Sequence, residues 1–448
     1  MTEINQQQWD ADEKEILREN TAQAIHERLE TQDNLRSRYE RRWIWELFQN
    51  ALDASTSSPE LKIQIRFNES FVFSHNGAPF TSREILHLIF HGSTKRESTG
   101  TIGRYGTGFL TTHILSRQVQ VRGQLQTAQH FDFTLDRSGA TPTDLIQAME
   151  RSRLQLLESL LPRPASHSDW TEFEYPLSAP NTERLVEQTL SDFANIAVAV
   201  VAFNPKIRSI TLDGKIRGKY ELLSTDTLDS TGTLGTNCVA LRIGDPEGAE
   251  DAHNVILVSD NELSVLLFLQ RGNNLVIASP NEVPRIFVAF PLYGTQFLPF
   301  PFLMNAPGGI PTEERNGLFL GSDHDRQANS QNKLLVERGC EFYQSAVALV
   351  ASRNWQCLHQ LAHFGISGEF DWLDAAWLAG LLKTNAERVI SSQKLVQTTG
   401  NALLTPYASV FPTGISEPYF GRLHTLVHGA LRKLSCPPRC CLALDTEH

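Results

Sequence analysis

Long apolar runs, a leader segment, a disulfide framework and an excess of positive charge are all missing from this chain, and each absence removes a class of protein. The longest apolar run, Phe193 to Phe203, is about 11 residues and too short to span a bilayer. Met1 to Glu30 is polar throughout, with no charged segment followed by an apolar one, so no secretory signal opens the chain. Six cysteines are scattered as Cys238, Cys340, Cys357, Cys436, Cys440 and Cys441 over 448 residues, which is not a disulfide framework. These absences predict a cytoplasmic protein with no membrane partner. With 40 basic against 51 acidic residues the net charge is -11, which disfavours a dedicated nucleic-acid or anionic-membrane binder but leaves room for a local basic patch. No internal repeat is found.

A hydrophobic content of 41% and a charged content of 20% describe a globular chain, and its length predicts two or three domains. The order of elements over the first part is helix, strand, tight turn, strand, glycine-rich loop. Helices are expected over Glu13 to Leu29, Tyr39 to Ala54, Ser82 to Phe90, Phe109 to Leu115 and Asp144 to Leu161. Alternation places strands at Leu61 to Phe67, Phe71 to Phe73, Val119 to Val121, Phe131 to Phe133 and Thr171 to Tyr175. Ser178-Ala-Pro-Asn181 marks a boundary, giving domains at 1–180, 181–340 and 341–448. The middle part carries a helix over Leu190 to Phe203 and strands at Ile207 to Leu212, Val239 to Ile243, Asn254 to Val258 and Arg285 to Phe290. From Asn332 onward the chain reads as mostly helical, with Trp355, Trp372 and Trp377 as core anchors.

The chemistry concentrates in the first 110 residues. In Glu46-Leu-Phe-Gln-Asn50-Ala-Leu-Asp53 the polar residues stand at i, i+4 and i+7, one stripe on a helix whose remaining circumference is apolar. A helix packed on most sides needs a polar cavity for such a stripe. A solvated stripe on an ordinary amphipathic helix is the better explanation of these eight residues when they are taken alone, and the later motifs change that. Downstream, His75-Asn76-Gly77-Ala-Pro-Phe80 makes a tight turn. Gly103-Arg-Tyr-Gly106-Thr107-Gly108-Phe109 then runs into a helix, where glycines allow close backbone approach and the helix N-terminus offers free N–H groups to phosphate. The order of these glycines disfavours a dinucleotide fold, whose GxGxxG follows a strand.

In such a pocket Asn50 offers a carbonyl oxygen to Mg²⁺, and Glu46, one turn earlier, is placed to accept a proton from water. Asp53 is either structural or on the sugar side. Ser93, Thr94, Lys95 and Arg96 form either a lid over the triphosphate or a solvated basic loop. In the tail, His424 and His428 with Cys436, Cys440 and Cys441 could ligate zinc, although their spacing matches no common site, and free thiols are the ordinary alternative.

Glu46-x-x-x-Asn50-x-x-Asp53, His75-Asn-Gly77, Gly103-x-x-Gly106-x-Gly108 and Asp169-Trp-Thr171-Glu-Phe resemble the successive boxes of the GHKL ATPases, the superfamily of gyrase, the ninety-kilodalton heat-shock chaperone, histidine kinases and the mismatch-repair MutL proteins. The resemblance implies an α+β chain: a two-layer α/β sandwich of the Bergerat type binding ATP, then a transducer-like α/β middle domain and a helical C-terminal region. By position it implies Glu46 as catalytic base, Asn50 as Mg²⁺ ligand, Gly103, Gly106 and Gly108 with Thr107 and Phe109 as the phosphate segment, and Thr171 near adenine. The usual adenine-binding aspartate is replaced by His75, beside Asn76. Each can accept a hydrogen bond, but neither reproduces a carboxylate.

His75-Asn-Gly-x-Pro-Phe80 looks like the sacsin-type branch. Pro311-Thr-Glu-Glu-Arg315 and Ser330-Gln-Asn-Lys333 resemble segments of its bacterial members, which implies Lys333 first, and Arg315 second, as the basic residue reaching the γ-phosphate. The implied activity is a slow Mg²⁺-dependent ATPase working as a conformational switch, chaperone-like or in bacterial defence against phage. A client or partner protein is implied but unidentified, and a homodimer is compatible. The alternatives are a nucleotide-gated interaction module with little turnover, and a DNA-associated ATPase of the gyrase or MutL kind, for which no basic stripe is found.

Overall fold

The computed structural model describes residues 6–55, 60–90, 108–162, 169–178, 180–229, 236–248, 252–270, 276–277, 279–280, 282–323, 327–353, 355, 358, 361, 370–397, 403–405, 409–410 and 441–442. The chain is of mixed α and β structure and divides into two compact units, residues 1–222 with 244–247 and residues 223–243 with 248–448.

The first unit contains α1 (Gln6–Asn34), α2 (Arg36–Tyr39), α3 (Trp43–Asp53), β1 (Leu61–Phe67), β2 (Ser70–His75), α4 (Ser82–Phe90), α5 (Gly108–Thr111), β3 (Gln118–Gln124), β4 (Gln129–Asp136), α6 (Pro142–Ser159), β5 (Leu161–Pro162), β6 (Thr171–Pro176), α7 (Pro180–Phe203), β7 (Ile207–Gly214) and the start of β8 (Gly218–Asp229). Its strands lie in the order β8-β7-β1-β2-β6-β3-β4-β5. Only the β1–β7 pair among these is parallel.

Alternation along β1, β2 and β6 sorts the two faces of this sheet. On one face the register lines up Phe67 with Phe71 and Tyr175, Ile65 with Phe73 and Phe173, and Ile63 with His75 and Thr171. The first two rows are apolar and carry α3: Trp43 meets Phe71 edge-on at 4.9 Å between ring centroids, and Phe48 meets Phe73 at 5.4 Å. The third row ends in a histidine and a threonine, so the apolar face turns polar at one end. The opposite face is an ionic ladder, where the Arg122 guanidinium donates to Glu172 at 2.6 Å and Glu174 at 2.8 Å.

An edge strand leaves unpaired N–H groups that need partners. Along β4 the N–H groups of Asp132, Thr134 and Asp136 donate to the side chains of Ser159, Gln155 and Ser152. Those three residues are spaced three and four apart, so α6 turns one stripe toward the strand while Leu145, Ala148, Met149 and Leu156 enter the core. Thr141 and Asp144 form a reciprocal capping box at its start, with Pro142 in the first turn.

The second unit contains β9 (Asn237–Gly244), β10 (His253–Ser259), β11 (Ser264–Leu269), β12 (Val276–Ile277), β13 (Ile286–Val288), β14 (Phe290–Pro291), β15 (Leu303–Asn305), α8 (Gln327–Ser352) and α9 (Ala375–Ser392). Its strands run β14-β13-β15-β11-β10-β9, with β12 also on β11. Val336, Cys340, Tyr343, Val347 and Val350 form one stripe of α8 and enter a single core with Val265, Leu267, Met304 and Leu358. Trp355 is buried there, and Trp372 and Trp377 pack against it, as expected of anchors.

The compact units differ from the three expected domains. Beyond residue 180, α7 and β7 complete the first sheet, because β7 pairs in parallel with β1 and Phe193 of α7 stacks on Phe48 at 5.3 Å. Residue 340 falls inside α8, whose core is shared with the strands before it and with Leu378 and Leu382 of α9. The segment Asn181–Phe203 is long and apolar enough by composition to cross a membrane, against the shorter run counted in the sequence, but 61% of its apolar window is buried inside the unit. Beyond α9, Val396–Gln397 pairs with Leu403–Leu404, a strand pair in a region expected to be helical.

Phe48 sits where α3, α7 and the sheet meet. Phe48→Ala is expected to destabilise the first unit by about 3–5 kcal/mol, read as a lower urea midpoint with an unchanged slope.

Candidate functional site

Trp43 to Gln49 of α3 are all buried, along with Ala51 and Leu52, while Asn50 and Asp53 are half-buried. The Glu46 side chain is thus carried into the interior by a helix whose apolar neighbours fix its depth, and the residue is 7% exposed. A buried carboxylate needs a compensating partner. Arg42, one turn earlier, donates from Nε to Glu46 Oε1 at 3.1 Å.

The other carboxylate oxygen faces the start of α5. A Cβ placed on Gly108 would lie 2.0 Å from Glu46 Oε2 and 2.8 Å from its Cδ. Any larger residue here would displace the Glu46 carboxylate, so the first motif and the end of the glycine motif are in contact. Phe109, next along, is buried with its ring 5.3 Å from Phe173 of β6 and 5.8 Å from His113.

Phe173 also stacks on His75, with centroids 6.4 Å apart and planes at 29°. His75 is 3% exposed at the end of β2, and burial pushes its pKa down from 6.5 to about 4, so the ring is neutral. Its Nδ1 accepts the Gly77 backbone N–H at 3.1 Å. A Cβ on Gly77 would lie 2.9 Å from that nitrogen and 3.0 Å from Ala54 Cβ, so this glycine is held between the ring and the end of α3. Ala78 N–H donates to Ala54 O at 2.8 Å, pinning the turn to α3. Across the strand pair, Thr171 is 2% exposed, and its Oγ1 would lie 3.5 Å from a Cβ on Gly123.

Glu46 on α3, Gly108 and Phe109 on α5, Phe173 and Thr171 on β6, His75 at the end of β2 and Gly77 just after it therefore form one chain of contacts in the first unit, with Asn50 and Asp53 further along α3. Asn76 is turned elsewhere: its Oδ1 accepts Lys62 N–H at 2.7 Å and its Nδ2 donates to Glu60 O at 3.1 Å. The expectation that Asn76 could accept from a base is replaced by a structural role, tying the turn to the start of β1. Ser93, Thr94, Lys95, Arg96, Gly103, Gly106 and Thr107 lie outside the described residues.

Lys333 and Arg315 belong to the second unit. Lys333 is 9% exposed, its Nζ donates to Asp374 Oδ2 at 3.1 Å, and it lies 5.0 Å from the Trp377 ring centroid. Asp374 Oδ1 meanwhile accepts Trp377 N–H at the start of α9, so Lys333 ties α8 to the cap of α9. Arg315 is half-buried in a turn with φ of 53°, its N–H donating to Thr312 O at 2.9 Å. The adjacent Asn332 is fully buried, accepts from Ile310 N, and donates to Ile310 O and Phe319 O, which welds the Pro311–Arg315 segment to the Ser330–Lys333 segment.

Asn50 is the one side chain expected to bind Mg²⁺, and no cluster of three metal-ligating side chains occurs among the described residues. His424, His428, Cys436 and Cys440 of the zinc-like set lie outside them. The sequence reading missed Arg42, whose signal was its i, i+4 spacing to Glu46, and Gly123 and Phe173, which only the strand register brings to the site. Neither the protein-family models nor the curated proteins contain a match to this chain.

Two measurements follow from these contacts. The His75 ring should stay neutral from about pH 7 to pH 5, seen as an unmoved imidazole Cε1–H resonance. Because the folded pKa is depressed, the stability this group contributes is complete above 6.5 and falls as pH drops toward 4. Lys333→Ala should cost the second unit about 1.5–3 kcal/mol in chemical denaturation, because it strips a charged hydrogen-bond donor from Asp374.

Proposed function

We propose that the first unit binds a nucleoside triphosphate with Mg²⁺ and hydrolyses it slowly, as a GHKL-type ATPase with a Bergerat-type layout. The observation that carries this reading is the close approach of Gly108 to the Glu46 carboxylate. It brings a buried acid to the point where a glycine-rich segment enters a helix, the combination that water activation beside a phosphate requires.

The residues present fit the ligands. Gly108 approaches the acid closely, Asn50 stands one turn along the same helix, and Phe109 packs on Phe173 beside His75, which Thr171 opposes in the strand register. Asn50 would hold Mg²⁺, which when bound supplies positive charge to the phosphate oxygens. Glu46 Oε2 takes the proton from the attacking water. Arg42 holds the other oxygen and orients the carboxylate. His75 and Thr171 would meet the base, and Asp53 is either structural or on the sugar side. The resemblance of His75–Phe80 to the sacsin-type branch extends the reading to a conformational switch, chaperone-like or acting in defence against phage.

A second reading, a nucleotide-gated module with little turnover, draws on the Arg42–Glu46 ion pair, which competes with water for the carboxylate. Steady-state hydrolysis and nucleotide binding by the parental chain and Glu46→Ala separate the two. The ATPase reading expects turnover to fall at least 100-fold in Glu46→Ala while binding stays within a few-fold. Binding by both with turnover by neither supports the module, and binding by neither removes both readings.

A further inference from the structure

We infer that the base end of this site presents a hydrogen-bond donor from His75, and that it therefore takes a 6-oxopurine nucleoside triphosphate, such as ITP or GTP, at least as readily as ATP. The inference rests on the nucleotide-binding reading above. The one ring nitrogen through which His75 could accept is used by the Gly77 amide.

The polarity follows from one hydrogen bond. A backbone N–H can only donate, so the 3.1 Å contact from Gly77 N uses the lone pair on His75 Nδ1. A neutral imidazole carries a single N–H, which must then sit on Nε2. Turning the ring over would aim Cδ2–H at the Gly77 N–H, and two further contacts hold it in place. Phe173 stacks on one side, and Phe73 lies 6.3 Å away at 60°. Gly77 closes the remaining space, where an added Cβ would strike Nδ1. No described residue hydrogen-bonds Nε2, so its proton is available to a ligand.

Among the described residues directly beside His75, Asn76 and Thr171 do not restore an acceptor of aspartate type. Asn76 spends its amide on the backbone of Lys62 and Glu60. Thr171 stands opposite His75 in the strand register, and its hydroxyl can donate or accept. A 6-oxopurine meets this pair well, with its O6 accepting from His75 Nε2–H and its N1–H donating to Thr171 Oγ1. Adenine carries a 6-amino group, which would set two donors against each other at the same place. A site built to hydrogen-bond one edge rejects the edge that leaves its buried polar group unpaired.

The test is competition of ITP, GTP and ATP, each with Mg²⁺, for the full-length chain, followed by the same comparison with His75→Asp. The expected result is ITP binding at least as tightly as ATP, with His75→Asp moving the ITP-to-ATP affinity ratio at least ten-fold toward ATP. ATP binding more tightly than ITP to the parental chain would overturn the inference and leave the nucleotide reading standing. Binding by none of the three would overturn both. The parental comparison decides the matter even if His75→Asp fails to fold.

Discussion

A carboxylate carried into an apolar interior must be compensated, and that requirement organises the first unit. Glu46 cannot leave its depth, because the helix that bears it is buried on nearly all sides and wedged by Trp43, Phe48 and Phe193 against the sheet. Arg42 satisfies one oxygen, and the backbone at Gly108 closes to within a side chain's width of the other. The position of α5 is thereby coupled to the position of α3. Phe109 in turn packs on Phe173, and Phe173 on the ring of His75.

The sheet beneath is built so that only one end of one face is polar. Aromatic rows support α3, and the row of Ile63, His75 and Thr171 changes character because the strands have reached the edge of what the helix covers. On the outer face Arg122 serves two glutamates in a ladder, which lets solvent wet that surface without loosening the pairing. The second unit follows a similar rule on a different scale: Asn332 and Asp374 meet backbone groups that loops would otherwise leave unsatisfied.

Much of this was legible in the sequence where periodicity is clean. The alternation of Leu61 to Phe67 and the helical spacing of Ser82 to Phe90 gave elements whose limits match the structure. Ser264 to Leu269 was not recognised, because a continuous apolar run lacks the alternation that identifies a strand. In β8 the side chains are half-buried or exposed, so its composition reads as loop. The candidate residue types were legible, whereas the hydrogen-bond partners of His75 and Asn76 were not. Order along the chain puts His75 at the end of a strand before a turn, whereas the use of its Nδ1 depends on the Gly77 amide folding back onto the ring. Lys333 and Arg315 were singled out by resemblance, and the structure gives each a local packing role that no spacing announced.

Backbone hydrogen exchange with and without a Mg²⁺–nucleoside triphosphate tests most directly whether α3, α5 and the turn after β2 border a nucleotide site. The account predicts slower exchange at Gly77, Ala78 and the α5 amides Phe109 to Thr111 when ATP or ITP is added at millimolar concentration. Unchanged exchange at all of these amides with both nucleotides would contradict it.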